Sequence, residues 1–242
     1  MAARRNEVRA KSAGGFETEI FDGSEGPSEL FPDACALIGR DSDGLDHFIG
    51  TGVAVHSRLV LTAVHVARNA PNFAYFPAAG ILNPAPSIQH PIEPQWDNCG
   101  PIAMLYLRPD GPTLEFPILA TSDDFTASRT GVIVGFGQNA PRRGERIKRH
   151  GDKMTIKPWP PSEDPAGASS QFFVTGHAGN CLFDSGGPFY TRLRGGNILA
   201  GIANRRPESP RIPCGPNGVY LRVDPQRECI RAKAAAHGIS LV

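Results

Sequence analysis

No stretch of the 242-residue chain approaches the roughly 18 consecutive apolar residues that a membrane-crossing helix requires. Neither sign of charge is in excess. Lys+Arg 25 against Asp+Glu 24 leaves +1, which excludes a global attraction to nucleic acid or an anionic membrane. The basic run Arg142-Arg-Gly-Glu-Arg-Ile-Lys-Arg149 is broken by Glu145 and has no interleaved aromatics, so it reads as a solvated loop. Five cysteines (Cys35, Cys99, Cys181, Cys214 and Cys229) are too few for a disulfide scaffold of this size. None forms a CxxC pair and no His sits at zinc-ligand spacing from them, so neither a metal nor an organic cofactor is implied. Residues 1–19 mix both charges and contain no apolar stretch, so no secretory signal is visible. They read as a flexible leader or as a segment removed later.

Glycine and proline are plentiful instead. Gly 27 plus Pro 23 is 50 of 242 residues, about a fifth of the chain against about an eighth in average usage. With 40% apolar and 20% charged residues, a sizeable core can form. From Ile20 onward short apolar runs alternate with turn residues. Strands are expected at 35–38, 52–55, 59–61, 102–107, 130–134, 171–174, 197–202 and 218–223. Many short strands separated by turns point to an all-β barrel or sandwich. Helical signals are confined to 63–68 and to 225–237, where Ile230, Ala234 and His237 recur at helical spacing. The stretch 138–170, basic and then Pro-rich, reads as a long surface loop.

Two motifs carry chemistry. Asp184-Ser-Gly-Gly-Pro188 arises by chance about once in ten thousand chains of this length, at roughly one in 20 per position. Such a run makes a tight turn that exposes one hydroxyl and lets a substrate backbone approach closely. Far upstream, strand residues 59–61 run into Thr62-Ala-Val-His65, which puts an imidazole at a rigid strand end where it can deprotonate a serine.

With these motifs the chain resembles the trypsin/chymotrypsin-like serine peptidases, in order, over most of residues 20–235. Ile20-Phe-Asp-Gly23 resembles the N-terminus that family exposes on activation, and Thr62-Ala-Val-His65 its histidine motif. Ile102-Ala-Met-Leu-Tyr-Leu107 resembles the strand after its aspartate, and Val132-Ile-Val-Gly-Phe-Gly137 the entry to its second barrel. Phe183-Asp-Ser-Gly-Gly-Pro188 resembles its serine motif and Cys214-Gly-Pro-Asn-Gly-Val-Tyr220 its last pocket strand. The resemblance implies an all-β fold of two antiparallel six-stranded barrels, over about 20–125 and 126–224, and a C-terminal α-helix over about 225–238. Residues 20–242 would form the peptidase domain behind the 1–19 leader. It further implies peptide-bond hydrolysis through an acyl-enzyme, with Ser185 as nucleophile and His65 as general base. The N–H groups of Phe183 and Ser185 would form the oxyanion hole, and Gly179, Arg206 and Gly218 the substrate pocket. Cys181 and Cys214 match the pocket disulfide. Ile20 and Asp184 match the activation pair, in which a freed α-amine orders the oxyanion hole. The partner implied is a polypeptide substrate, and the compartment is secreted or periplasmic.

Three departures bear on activity. The position of the family's aspartate is Pro101, and the nearest carboxylate is Asp97, across Asn98-Cys-Gly-Pro101. Either a bulge at Gly100-Pro101 brings Asp97 to the imidazole, or Asn204, matching a family serine beside that aspartate, accepts from it. Neutralising such a carboxylate lowers the rate by about 10⁴ in a known protease, roughly 5 kcal/mol. Phe183 stands where the family has Gly, which keeps the N–H donor but sets a ring on the leaving-group side. Asn204-Arg-Arg206, with Arg211 near, replaces a small residue, an aromatic and a glycine. The two arginines read as a solvated loop or as attracting an acidic side chain. Cys35 reads as a small buried hydrophobe. A Cys99–Cys229 bridge to the final helix is one of several pairings left open. The competing function is a catalytically degenerate peptidase fold used as a protein-binding module.

Overall fold

Residues 24–25, 30–76, 89–108, 111–137, 148–158, 170–193, 196–205 and 215–241 are described by a computed structural model. A two-residue strand, β1 (Ser24–Glu25), comes first. The next strands are β2 (Ala34–Arg40), β3 (Asp46–His56), β4 (Leu59–Ala63), β5 (Phe73–Tyr75), β6 (Gln89–Cys99) and β7 (Ile102–Leu107). They close an antiparallel barrel in the order β2-β3-β4-β7-β6-β5, with β5 pairing back on β2. Every residue of β4 and β7 is buried, because one face fills the barrel and the other is covered by neighbouring elements. That is why both read as unbroken apolar runs rather than as alternation. A single helical turn, α1 (Val64–Ala67), leaves the end of β4.

The second half contains β8 (Ile118–Leu119), α2 (Ser122–Ala127), β9 (Thr130–Gly135), β10 (Arg149–Pro158) and β11 (Gln171–Thr175). It continues with β12 (Pro188–Leu193), β13 (Gly196–Arg205) and β14 (Asn217–Arg222). The run β9-β10-β11-β14-β13-β12 closes on itself through β12–β9, making the second six-stranded barrel. β1 extends it along β10, and β8 adds to β13 in parallel. A 3₁₀ turn (Asp224–Gln226) leads into α3 (Arg227–Ala236). The fold is therefore two closed six-stranded antiparallel barrels with a short C-terminal helix, as expected. Among the described residues no helix is long and apolar enough to cross a membrane.

The eight expected strands are all present, with ends that differ by at most six residues and coincide for 102–107. The loop expected over 138–170 is a correction: Arg149–Pro158 forms β10, whose only buried residues are Gly151 and Met154. A strand with so few core positions gives almost no hydrophobic period. α2 was likewise invisible in the sequence, although Thr121 and Asp124 form a reciprocal capping box at its start.

One hydrophobic cluster fills the first barrel and reaches β9, β12 and β13 of the second. The other packs Phe172, Phe189 and Tyr220 ring against ring inside the second barrel. Between the barrels the Tyr190 hydroxyl donates to Asp33, whose carboxyl burial pushes up to about 6. α3 returns to the first barrel through the Cys99–Cys229 disulfide, which closes a 130-residue separation. In the loop-entropy picture such a link contributes about 5 kcal/mol. Cys35 is a buried free thiol.

Candidate active site

The turn between β11 and β12 is set by its own backbone. Asp184 is buried, and its carboxylate accepts from Gly137 N–H and Cys181 N–H, both at 2.7 Å. A methyl group on Gly137 would lie 2.7 Å from that carboxylate, so only glycine fits there. Gly186 has φ +88°, and a methyl on it would meet the Thr62 hydroxyl at 2.0 Å and the Thr51 carbonyl at 2.1 Å. Gly186 N–H donates to the Ala203 carbonyl at 2.7 Å, and Gly187 N–H to the Asp184 carbonyl at 2.9 Å. The N–H groups of Phe183 and Ser185 in the same turn make no hydrogen bond among the described residues. Phe183 adopts φ +71°, a left-handed conformation that a bulky residue takes only under constraint.

The Ser185 hydroxyl, half-buried, donates to the Asn204 carbonyl at 3.3 Å. Asn204 sits where the β13–β14 register shifts between Ala203 and Arg205, and such a bulge re-aims backbone and side chain. His65 lies in α1, whose first N–H, that of Val64, donates to the Pro101 carbonyl at 3.0 Å. The imidazole makes no hydrogen bond among the described residues. Desolvation by the surrounding protein holds its pKa below the ordinary 6.5. A methyl on Gly50 would lie 2.8 Å from the Val66 side chain and 3.1 Å from the Ser185 carbonyl. The neighbour of His65 and the backbone of Ser185 therefore flank one glycine.

Asp97 is not brought to the imidazole. It lies in β6, paired in register with Met104, and the two-residue Gly100-Pro101 turn produces no bulge that would swing it. Its oxygens accept from Tyr106 Oη at 2.9 Å and Lys233 Nζ at 3.0 Å, and contact His237 Nε2 at 3.1 Å. Those partners hold its carboxyl below the usual range, Lys233 first. The reason is steric and local: a strict hairpin aims that strand face at α3. The Asn204 side-chain amide makes no hydrogen bond among the described residues.

Gly179 and Gly218 both line packed walls. A methyl on Gly179 would meet the Gly215 carbonyl at 1.8 Å, and one on Gly218 the Asn180 side chain at 2.7 Å. Cys181 is disulfide-bonded. Its expected partner Cys214, with Ile20 and Arg206, lies outside the described residues. Among the described residues no group of three or more His, Cys, Asp or Glu gathers as metal ligands would. Sequence reasoning overlooked Thr51, which bonds to both Phe183 and Ser185. Its one signal was a hydroxyl between two glycines in the apolar middle of β3.

Two closed barrels with a glycine-shaped serine turn at their junction define a chymotrypsin-like class of fold. The trypsin family model matches residues 20–230, and the chain belongs to that family of peptidases. No curated protein sequence matches it.

Proposed function

We propose that the chain is a serine-type endopeptidase that works through an acyl-enzyme on Ser185. One observation carries the reading: the Ser185 hydroxyl sits in a turn whose Phe183 and Ser185 N–H groups make no hydrogen bond among the described residues. Two such amides in one turn are donors that a developing oxyanion can take up. In this mechanism Ser185 Oγ rotates away from the Asn204 carbonyl and attacks the scissile carbonyl carbon. His65 takes the hydroxyl proton, and the two amides receive the oxyanion. The imidazolium then protonates the leaving amine, and a water activated by the same ring releases the acyl group.

The lowered pKa of His65 suits a base that is neutral at neutral pH. No carboxylate bonds to the ring among the described residues, and with none of them behind the imidazolium this reading expects slow turnover. Asn204, with its carbonyl on the nucleophile and its side-chain amide unbonded among the described residues, is the acceptor this reading retains for the ring. The proposal includes cleavage before Ile20, which delivers an α-ammonium to Asp184, and a polypeptide substrate. It also includes export, in keeping with a family commonly extracellular and with a disulfide of the kind that persists in oxidising compartments.

A binding-module reading is favoured by the Ser185 hydroxyl resting on Asn204 and by an imidazole with no hydrogen bond among the described residues. A fluorophosphonate probe separates the two. Labelling of Ser185, abolished in His65→Ala, together with cleavage of a denatured protein substrate, is the expected result. An Ile20-started chain that takes no label would leave only the binder.

A further inference from the structure

Thr51 in β3 is fully buried and bonds in four directions. Its N–H donates to the Ser185 carbonyl at 2.9 Å, and its hydroxyl donates to the Phe183 carbonyl at 3.0 Å. That hydroxyl also accepts from Phe136 N–H at 3.2 Å, and the Thr51 carbonyl accepts from the Thr62 hydroxyl at 2.8 Å. Thr62 lies on β4, which runs into the α1 turn carrying His65, and Phe136 follows β9 of the second barrel. One residue thus joins the serine turn to the histidine strand and to the opposite barrel.

The dihedral φ of Phe183 relates the peptide plane carrying its N–H to the plane carrying its carbonyl. Thr51 fixes the second plane, and Asp184 N–H helps by donating to the Cys181 carbonyl at 3.3 Å. Released from that grip, the carbonyl plane can turn and a phenylalanine at φ +71° relaxes to negative φ, a rotation about N–Cα that re-aims its N–H relative to the rest of the turn. The Phe48 ring, edge-on to Phe183 at 5.5 Å, restrains the side chain but not that plane. Glycine at position 183 would need no such clamp.

We infer that Thr51 is a positioning residue, whose hydroxyl keeps the Phe183 N–H available as an oxyanion donor. The inference rests on the proposed peptidase reading, and it names what lets this chain carry phenylalanine at that position. The test times fluorophosphonate labelling of Ser185 in the chain cleaved before Ile20 and in its variants. Thr51→Val is expected to label about tenfold slower or more and Thr51→Ser to stay within about threefold, since one lost oxyanion donor costs about 10² or more. On a peptide substrate the loss falls on kcat and leaves KM in place. Adding Phe183→Gly to Thr51→Val restores most of the rate, which a merely structural threonine would not do. Thr51→Ala serves as a second hydroxyl-free variant if the valine protein does not fold. Wild-type labelling by Thr51→Val overturns the inference, and so does a double variant as slow as the single one. If the wild type takes no label, the peptidase reading is what fails. Amide NMR then decides the positioning role: Thr51→Val must shift the Phe183 and Ser185 N–H signals while Thr51→Ser leaves them, and unchanged signals overturn it.

Discussion

The serine-bearing wall and the histidine-bearing wall of the candidate site are built to different standards. On the serine wall, backbone amides grip the Asp184 carboxylate, glycines at 137 and 186 admit contacts no other residue allows, and Thr51 fixes two carbonyls. On the histidine wall, one helical turn carries an imidazole without a hydrogen bond among the described residues, and the neighbouring carboxylate of Asp97 serves the C-terminal helix. On the proposed reading, the half of the site that would receive an oxyanion is made of main chain, and so is fixed by packing. Support for the proposed base would depend on one side chain, at the position that the resemblance gives to Pro101.

The largest effect expected on either wall is that of Gly186→Ala. A methyl 2.0 Å from the Thr62 hydroxyl, at φ +88°, forces the turn off the histidine strand. The loss should be about 4 kcal/mol or more, a fall in Tm of about 10 °C, together with loss of Ser185 labelling. A variant as stable and reactive as wild type would mean the serine wall is not rigid.

The smallest is that of Asp97→Asn, which breaks the ion pair to Lys233 in a half-exposed setting. Stability should drop by about 1 kcal/mol in urea melts while the labelling rate stays unchanged. Since the partners of Asp97 hold its pKa down, its contribution is present above 3.8 and fades as pH falls through the lowered value. A large fall in labelling with intact stability would return Asp97 to the site and erase the contrast between the walls.

How legible each wall was in the sequence follows from the same physics. Asp184, Ser185 and Gly186 announce themselves because a turn that needs positive φ and close backbone approach leaves few residue choices. The barrels were legible wherever strands bury both faces, as in β4 and β7, and illegible in β10, where solvent takes most side chains. Asp97 misled because proximity along the chain says nothing about which face of a hairpin a residue occupies. A strict register decides that, and here it turns the carboxylate to α3. Thr51 escaped notice because a single buried hydroxyl has no pattern until its partners, far along the chain, are seen.

The most direct measurement is the rate of Ser185 labelling as a function of pH, in the wild type and in His65→Ala. A desolvated imidazole acting as base with no carboxylate behind it predicts an acid limb with its midpoint below 6.5, absent from the alanine variant. A midpoint above 6.5, the mark of an imidazolium steadied by a nearby carboxylate, would contradict the account, as would labelling that persists without His65.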